Sequence, residues 1–140
     1  MSGAHRADSG SVTLELVVLA PALILTLLLA IAAGRIAQAH QAVEAAARDA
    51  ARQASIARDP ITARAAALTS AQASLTREGL HCRPDVTVNT GGFAQPIGQP
   101  ATATARVSCI VQLADIAASG VPSTTVTASF ASPLDPYRGR

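Results

Sequence analysis

The stretch GSVTLELVVLAPALILTLLLAIAAG, residues 10–34, decides how this chain is organised. It opens with Gly10 and Ser11, reaches a carboxylate at Glu15, and then carries no charged side chain from Leu16 to Gly34. As a helix the uncharged run would be roughly 28 Å long, which matches the hydrocarbon core of a bilayer. A simple membrane anchor does not need a carboxylate at the start of its apolar helix, so the presence of Glu15 requires a separate explanation.

Local chemistry offers more than one role for Glu15. A glutamate near a helix start interacts favourably with the helix dipole. A capping box would need Ser or Thr three residues earlier, where the chain has Val12. If the chain is cut after Gly10, Ser11 carries a free amine one helical turn before Glu15. Each charge can then neutralise the other, within one subunit or between neighbours, because both are costly when unpaired in lipid.

The helix pattern continues beyond the apolar run. Residues 36–57 contain no Gly or Pro, and small apolar side chains recur on one side of the predicted helix: Ile36, Ala39, Val43, Ala46, Ala47, Ala50 and Ala57. This spacing predicts an amphipathic helix with a flat face. We therefore expect one helix from about Val12 to about Ala57, kinked at Pro21, whose small-residue face packs against other helices.

A second helix and a small sheet are predicted after Asp59. Asp59 and Pro60 suit a helix start, Gly79 suits its end, and one apolar stripe is expected: Ile61, Ala65, Leu68, Ala71 and Leu75. Alternating apolar and polar residues then predict strands at 85–90, 102–113 and 124–130. A turn is expected at 119–122 and a loose tail from Ser132.

The predicted fold class is therefore α+β. It combines a long N-terminal helix, half transmembrane and half exposed, with a second short helix and an antiparallel sheet of about three strands. The expected segments are a leader at 1–10, a transmembrane helix at 11–35, an exposed continuation at 36–58 and a small extracytoplasmic domain at 59–140.

Two cysteines, Cys82 and Cys109, follow the apolar run. A lone pair in a chain with an anchor or export segment favours a disulfide formed in an oxidising compartment. Two unpaired buried thiols are the alternative. Zinc is less favoured, because His81 adjoins Cys82 and no second histidine lies near Cys109. A bridge would tie the predicted sheet together.

Composition argues against several classes of function. The formal charge is +2, and the arginines are not interleaved with aromatic residues, so we expect no nucleic-acid partner. No phosphate-loop, nucleotide or metal fingerprint occurs, and the only candidate catalytic groups are His40, His81, Asp115 and scattered hydroxyls. We therefore expect no enzyme activity, no cofactor, no metal and no small-molecule substrate.

From about Asp8 to Ser55 the sequence resembles the TadE-like family, which are pseudopilins of the tight-adherence (Flp, type IVb) pilus machinery. The resemblance rests on the glycine and glutamate at the junction, the apolar run with its proline, and the following AAGRIAQAHQAVEAAARDAAR segment. It implies that a prepilin peptidase cuts after Gly10, that Ser11 becomes the N-terminus, that Glu15 is the family's assembly glutamate and that Pro21 kinks the helix.

The same resemblance implies partners and a location. The partners would be the membrane, the prepilin peptidase, other pilins or pseudopilins and the pilus assembly platform. The chain would act as a minor, non-catalytic subunit of a pilus or related secretion system. It would span the cell membrane once, with a cytoplasmic N-terminus and an extracytoplasmic C-terminal domain. Arginine counts alone do not give this orientation, because Arg35 follows the helix while Arg6 is offset by Asp8.

A secreted protein is the alternative. Residues 16–29 would form the apolar core of a signal peptide, and Ala30-Ile31-Ala32 would form its cleavage site. The mature chain would then begin at Ala33, whereas prepilin processing predicts a chain that begins at Ser11.

Overall fold

The computed structural model of the protein describes residues 9–112 and 123–137, with side chains from residue 15 onward. Two helices, α1 (Ser9–Ile56) and α2 (Pro60–Arg77), precede three strands, β1 (Asp85–Asn89), β2 (Thr102–Val111) and β3 (Thr124–Pro133). The strands form one antiparallel sheet in the order β1-β2-β3. The predicted α+β class, with its long helix, short helix and three-stranded sheet, is confirmed.

The chain divides into two compact units, Met1–Arg35 and Ile36–Arg140. In the first unit, α1 is helical from Ser9 and continues through Pro21 without a break. The predicted kink at Pro21 stays a prediction. The second unit holds the rest of α1, all of α2 and the sheet.

The small-residue face of α1 is buried inside the second unit. Its buried members are at most 3% exposed: Ala39, Ala42, Val43, Ala46, Ala47, Ala50, Ala51 and Ala54. They share one core with alanines and Leu75 of α2 and with the inner face of β2. The expected amphipathic pattern is confirmed, and the face packs against another helix, which is α2 of the same chain. The chain's own α2 and sheet already cover it.

Both ends of α2 are fixed by local hydrogen bonds. At the start, Oδ1 of Asp59 accepts hydrogen bonds from the backbone N–H groups of Ile61 and Thr62, both at 2.9 Å. The Thr62 hydroxyl donates to Oδ2 at 2.6 Å, and together these bonds hold the pKa of Asp59 below its usual value. At the end, Gly79 adopts φ 72°, and the Leu80 N–H donates to the Leu75 carbonyl at 2.9 Å, a Schellman closure.

The buried stripe of α2 differs from the predicted one. The buried residues are Ala63, Ala67, Ala71, Ser74 and Leu75. Ala71 and Leu75 were predicted correctly, but Ala65 is exposed, Ile61 is 78% exposed and Leu68 is 41% exposed. The prediction followed the larger apolar side chains. Close packing against an alanine face instead selects the smallest side chains, because interiors are filled to crystal-like density.

The sheet buries one face against the helices. On β2 the predicted alternation is confirmed: Ala103, Ala105, Val107 and Cys109 are almost completely buried. Val86 on β1 lies opposite Val107 and is half-buried. Residue Leu113, assigned to the predicted second strand, and the predicted turn at 119–122 lie outside the described residues.

The tail that was predicted to be loose from Ser132 is ordered up to Leu134. β3 extends to Pro133, and the buried Ser132 hydroxyl donates to the Ser55 hydroxyl of α1 at 3.1 Å. The Leu134 N–H donates to the Ala101 carbonyl at 2.8 Å, and the Leu134 side chain is only 3% exposed. The prolines misled the prediction, because proline at the end of an edge strand costs no ladder bond.

Gly92, in the short 3₁₀ helix Gly91–Ala94, occupies a position with no room for a side chain. A Cβ there would clash with the Thr102 carbonyl and lie 2.8 Å from Cδ1 of Leu134. We expect Gly92→Ala to lower the free energy of unfolding by about 1–3 kcal/mol, the usual cost of overpacking. Gly91→Ala is the matched control, since its Cβ would meet only the movable Asn89 side chain at 3.2 Å. Equal urea midpoints for the two variants would contradict this packing.

Candidate assembly segment

The apolar part of α1 presents its large side chains outward. Eleven of them are between 43% and 71% exposed: Leu16, Val17, Val18, Leu19, Leu23, Ile24, Leu25, Leu27, Leu28, Leu29 and Ile31. The best window of the candidate span has a mean hydropathy of 2.8, and none of it is buried. Exposure of so much apolar surface to water is unfavourable by about 25 cal/mol per Å². By length and composition this helix is suited to a bilayer.

Glu15 lies beyond the first turn of α1. The helix begins at Ser9, and its first turn contains no acidic residue. The dipole effect falls off within one turn, so it gives little reason for a carboxylate at this position. The Glu15 side chain is exposed, and it has no hydrogen bond or ion pair with the residues that the structure describes. Its carboxylate is therefore available to a group outside those residues.

The helical backbone places Ser11 and Glu15 on neighbouring turns of α1. Gly10 and Ser11 are both helical, and Ser11 precedes Glu15 by four residues. Residues at this spacing face the same side of a helix, one turn apart. An amine created at Ser11 would thus lie about one turn before Glu15 on the same helix. The leader residues 1–8 lie outside the described part of the chain.

Pro21 deprives a second polar group near Glu15, a backbone carbonyl, of its usual helical donor. A proline has no N–H, so the carbonyl of Val17 lacks the donor that residue 21 would otherwise supply. In lipid such a carbonyl needs a partner from a neighbouring segment. The hydroxyl of Thr26, in contrast, is satisfied inside the helix by donating to the Leu23 carbonyl at 2.8 Å. Near the start of the apolar run, the described residues therefore offer the Glu15 carboxylate, which has no partner among them, and the Val17 carbonyl, which lacks an N–H donor at Pro21.

Cys82 and Cys109 form a disulfide, with their Cα atoms 6.0 Å apart. This confirms the predicted bridge and excludes the two alternatives, free thiols and a zinc site, for this pair of cysteines. The bond joins the loop after α2 to the central strand, and Cys109 is only 1% exposed. Since β2 pairs with both other strands, the loop after α2 is fixed directly to the middle of the sheet.

The candidate catalytic groups stay apart from one another. His40 and His81 are exposed, one on α1 and the other beside Cys82, while Asp115 lies outside the described residues. Within residues 9–112 and 123–137, no group of three or more His, Cys, Asp or Glu side chains could hold a metal ion. The expectation of a non-catalytic protein stays a prediction.

Sequence reasoning missed an open groove between α1 and β3. It has a volume of about 380 Å³ and is lined by Glu44, Arg48 and residues 127–130. Arg48 forms an ion pair with Glu44 at 3.1 Å, which i,i+4 spacing made foreseeable. The groove itself depends on α1 lying beside β3, and no local sequence pattern carries that information.

Residues 10–52 match the family model described as TadE-like protein. No curated protein and no solved structure matches the chain. The match covers the junction, the apolar helix and most of its exposed continuation, whereas α2 and the sheet lie outside it. Together with the exposed apolar helix, it fits a membrane protein associated with a Tad pilus. The resemblance to the TadE-like family, first indicated by the junction and the apolar run, is confirmed over residues 10–52.

Proposed function

We propose that this chain is a minor pilin-like subunit that takes part in assembling a tight-adherence type pilus or a related secretion system. The observation that carries the proposal is the exposed Glu15 at the start of an exposed apolar helix. Both lie within residues 10–52, which match the family model. Neither the helix dipole nor a capping box accounts for that carboxylate. A charge-pairing role in assembly does account for it.

In this proposal the apolar run anchors the chain, and a prepilin peptidase removes residues 1–10 on the cytoplasmic side. The new amine of Ser11, or that of a neighbouring subunit, then pairs with Glu15. A mispaired register would leave both charges unpaired in apolar surroundings, at about 2.5–3.5 kcal/mol each near a bilayer centre on insertion scales. The pairing therefore sets the axial position of one subunit against the next.

Contacts between subunits are assigned to the apolar part of α1. The alanine face of residues 39–54 is covered by the chain's own core, so it is not available to a neighbour. The exposed Leu, Val and Ile side chains of residues 16–31 are available, and the Val17 carbonyl, which lacks an N–H donor at Pro21, lies among them. Partners of this chain would accordingly be other pilins or pseudopilins and the membrane-embedded assembly platform.

The C-terminal domain is assigned to the extracytoplasmic side. Its support is the Cys82–Cys109 bridge, because disulfides form and persist in oxidising compartments and are rare in the cytosol. This gives a single-pass protein with a cytoplasmic N-terminus.

The proposal predicts the outcome of deletion and complementation. Removing the gene should abolish or strongly reduce surface pili, and the wild-type chain supplied in trans should restore them. A chain lacking residues 36–140 serves as the control for the anchor alone and should not restore them. Normal pilus numbers on the deletion strain, counted by electron microscopy, would show that this chain is not needed for assembly.

A further inference from the structure

The two cysteines of the disulfide differ in their access to other molecules. Cys82 lies between α2 and β1, in residues 80–84, which form neither helix nor strand, and it is half-buried. Cys109 lies on β2, the central strand, and is only 1% exposed. Its partner on β3 is Val126, which is buried as well. In the folded domain an external thiol or disulfide therefore reaches Cys82 far more readily than Cys109.

The charges around the two cysteines favour the same difference in reactivity. In thiol–disulfide exchange the attacking species is the thiolate. Arg83 directly follows Cys82, is exposed, and forms no ion pair with the residues that the structure describes. A neighbouring positive charge stabilises a thiolate, whereas the apolar core around Cys109 disfavours one. In a reduced chain Cys82 would therefore be the thiol that reacts with an external disulfide.

Pairing of β1 with β2 brings Cys109 to Cys82. Asp85 follows Cys82 by three residues and lies opposite Ser108, which directly precedes Cys109. This register leaves the Cα atoms of the two cysteines 6.0 Å apart. Formation of the sheet therefore delivers Cys109 to Cys82 within the chain, without any external molecule having to contact Cys109.

We propose that the bridge is formed through Cys82 by an extracytoplasmic thiol–disulfide oxidoreductase, and that Cys109 acts only as the resolving thiol. The partner is defined by its chemistry, an accessible protein disulfide that accepts two electrons. This assignment rests on the proposed extracytoplasmic location of the domain, where disulfides form and persist.

Two exchange steps account for every sulfur atom and electron. The Cys82 thiolate attacks one sulfur of the oxidoreductase disulfide, a mixed disulfide forms, and the second oxidoreductase sulfur leaves as a thiolate. The Cys109 thiolate then attacks Sγ of Cys82, the Cys82–Cys109 bond forms, and the first oxidoreductase sulfur leaves. Two electrons pass to the oxidoreductase, and the two thiol protons are transferred through solvent to its reduced sulfurs.

The first test runs the exchange backwards on the folded wild-type chain in detergent micelles. Brief treatment with glutathione, stopped by N-ethylmaleimide in urea, labels each sulfur by its fate. Attack on Sγ of Cys82 leaves glutathione on Cys82 and maleimide on Cys109. Peptide mass spectrometry should find at least about tenfold more glutathione on Cys82 than on Cys109. Carried out entirely in urea, where the fold is lost, the same reaction should reduce this excess to about twofold or less.

The second test traps the partner in cells. Cys109→Ser retains the entry thiol and lacks the resolving one, so a mixed disulfide with a second polypeptide should accumulate on Cys82 and be identified by mass spectrometry. Cys82→Ser is the matched variant, since it also lacks the bridge, and it should carry at least about tenfold less adduct per chain. The wild type should accumulate none.

Four results would overturn the proposal. Equal glutathione on both cysteines of the folded wild type would mean that the fold does not select Cys82. Equal adduct on the two variants would mean that the oxidant enters at either cysteine. No polypeptide adduct on Cys109→Ser, with an oxidised wild type, would identify a small-molecule oxidant. Free wild-type thiols in cells would contradict the extracytoplasmic location itself, which the glutathione test does not require. Pilus assembly enters neither test.

Discussion

Replacing Glu15 with alanine should keep this chain in the membrane but out of the assembled structure. The apolar run from Leu16 to Gly34 is unchanged by the substitution, so insertion should persist. The neighbour's amine would lose its partner. An unpaired charge costs about 2.5–3.5 kcal/mol at the centre of a bilayer and less toward its surface, so association should weaken by up to about 100-fold. The expected result is a normal amount of chain in the membrane fraction with pili strongly reduced.

Two further variants isolate the charge at Glu15. Glu15→Gln keeps the size of the side chain and removes only its charge, so it should fail in assembly as alanine does. Glu44→Ala removes another exposed carboxylate of α1, far along the chain from the junction, and should assemble normally. Crosslinking between subunits, scored beside pilus counts, separates weak assembly from poor expression. If both Glu15 variants crosslinked and formed pili as the wild type does, the charge-pairing role of Glu15 would be contradicted.

Replacing Cys82 with serine should destabilise the second unit severely. The bridge closes a loop between residues 27 apart in sequence, which on the chain-entropy account stabilises the fold by about 3–4 kcal/mol. The core around it consists largely of alanines, with Leu75 as its largest fully buried side chain. Small domains with little apolar core commonly depend on a disulfide for their stability. The expected results are a lower urea midpoint and a lower level of exported protein.

The control for Cys82→Ser is the wild-type chain under reducing conditions. Once reduced, the wild type should unfold at a midpoint close to that of the variant, whereas the variant should not respond to the reductant. A variant as stable as the oxidised wild type would contradict the role of the bridge. Free thiols in the exported wild type would contradict the bridge itself.

The two periodicities of the sequence predict most of this fold. Seven-residue recurrence from Ile36 to Ala57 marks the buried face of α1, and alternation from Ala103 to Cys109 marks the inner face of β2. Both are local patterns that state which side of an element is apolar. Choosing between two apolar sides needs the shape of the neighbouring element. For this reason the predicted apolar stripe of α2 included Ile61, which is exposed.

Long-range pairing is the part that the sequence does not reveal. The bond between Ser55 and Ser132 links residues 77 apart, and it orders a tail whose prolines predict a loose end. The groove at Glu44 and Arg48 arises from the same placement of α1 beside β3. The junction is different, because Ser11 and Glu15 lie four residues apart on one helix and their spacing alone predicts that they face the same side.

The mass of the N-terminal peptide tests the central claim most directly. The chain would be isolated from membranes of cells that carry the prepilin peptidase and digested, and its first peptide identified by mass spectrometry. Prepilin processing predicts a chain that begins at Ser11, and an uncut chain in cells lacking the peptidase. A chain that begins at Ala33 would identify residues 16–32 as part of a signal peptide, and a chain that keeps residues 1–10 in every strain would mean that no amine forms beside Glu15. Either result would contradict assembly through this junction.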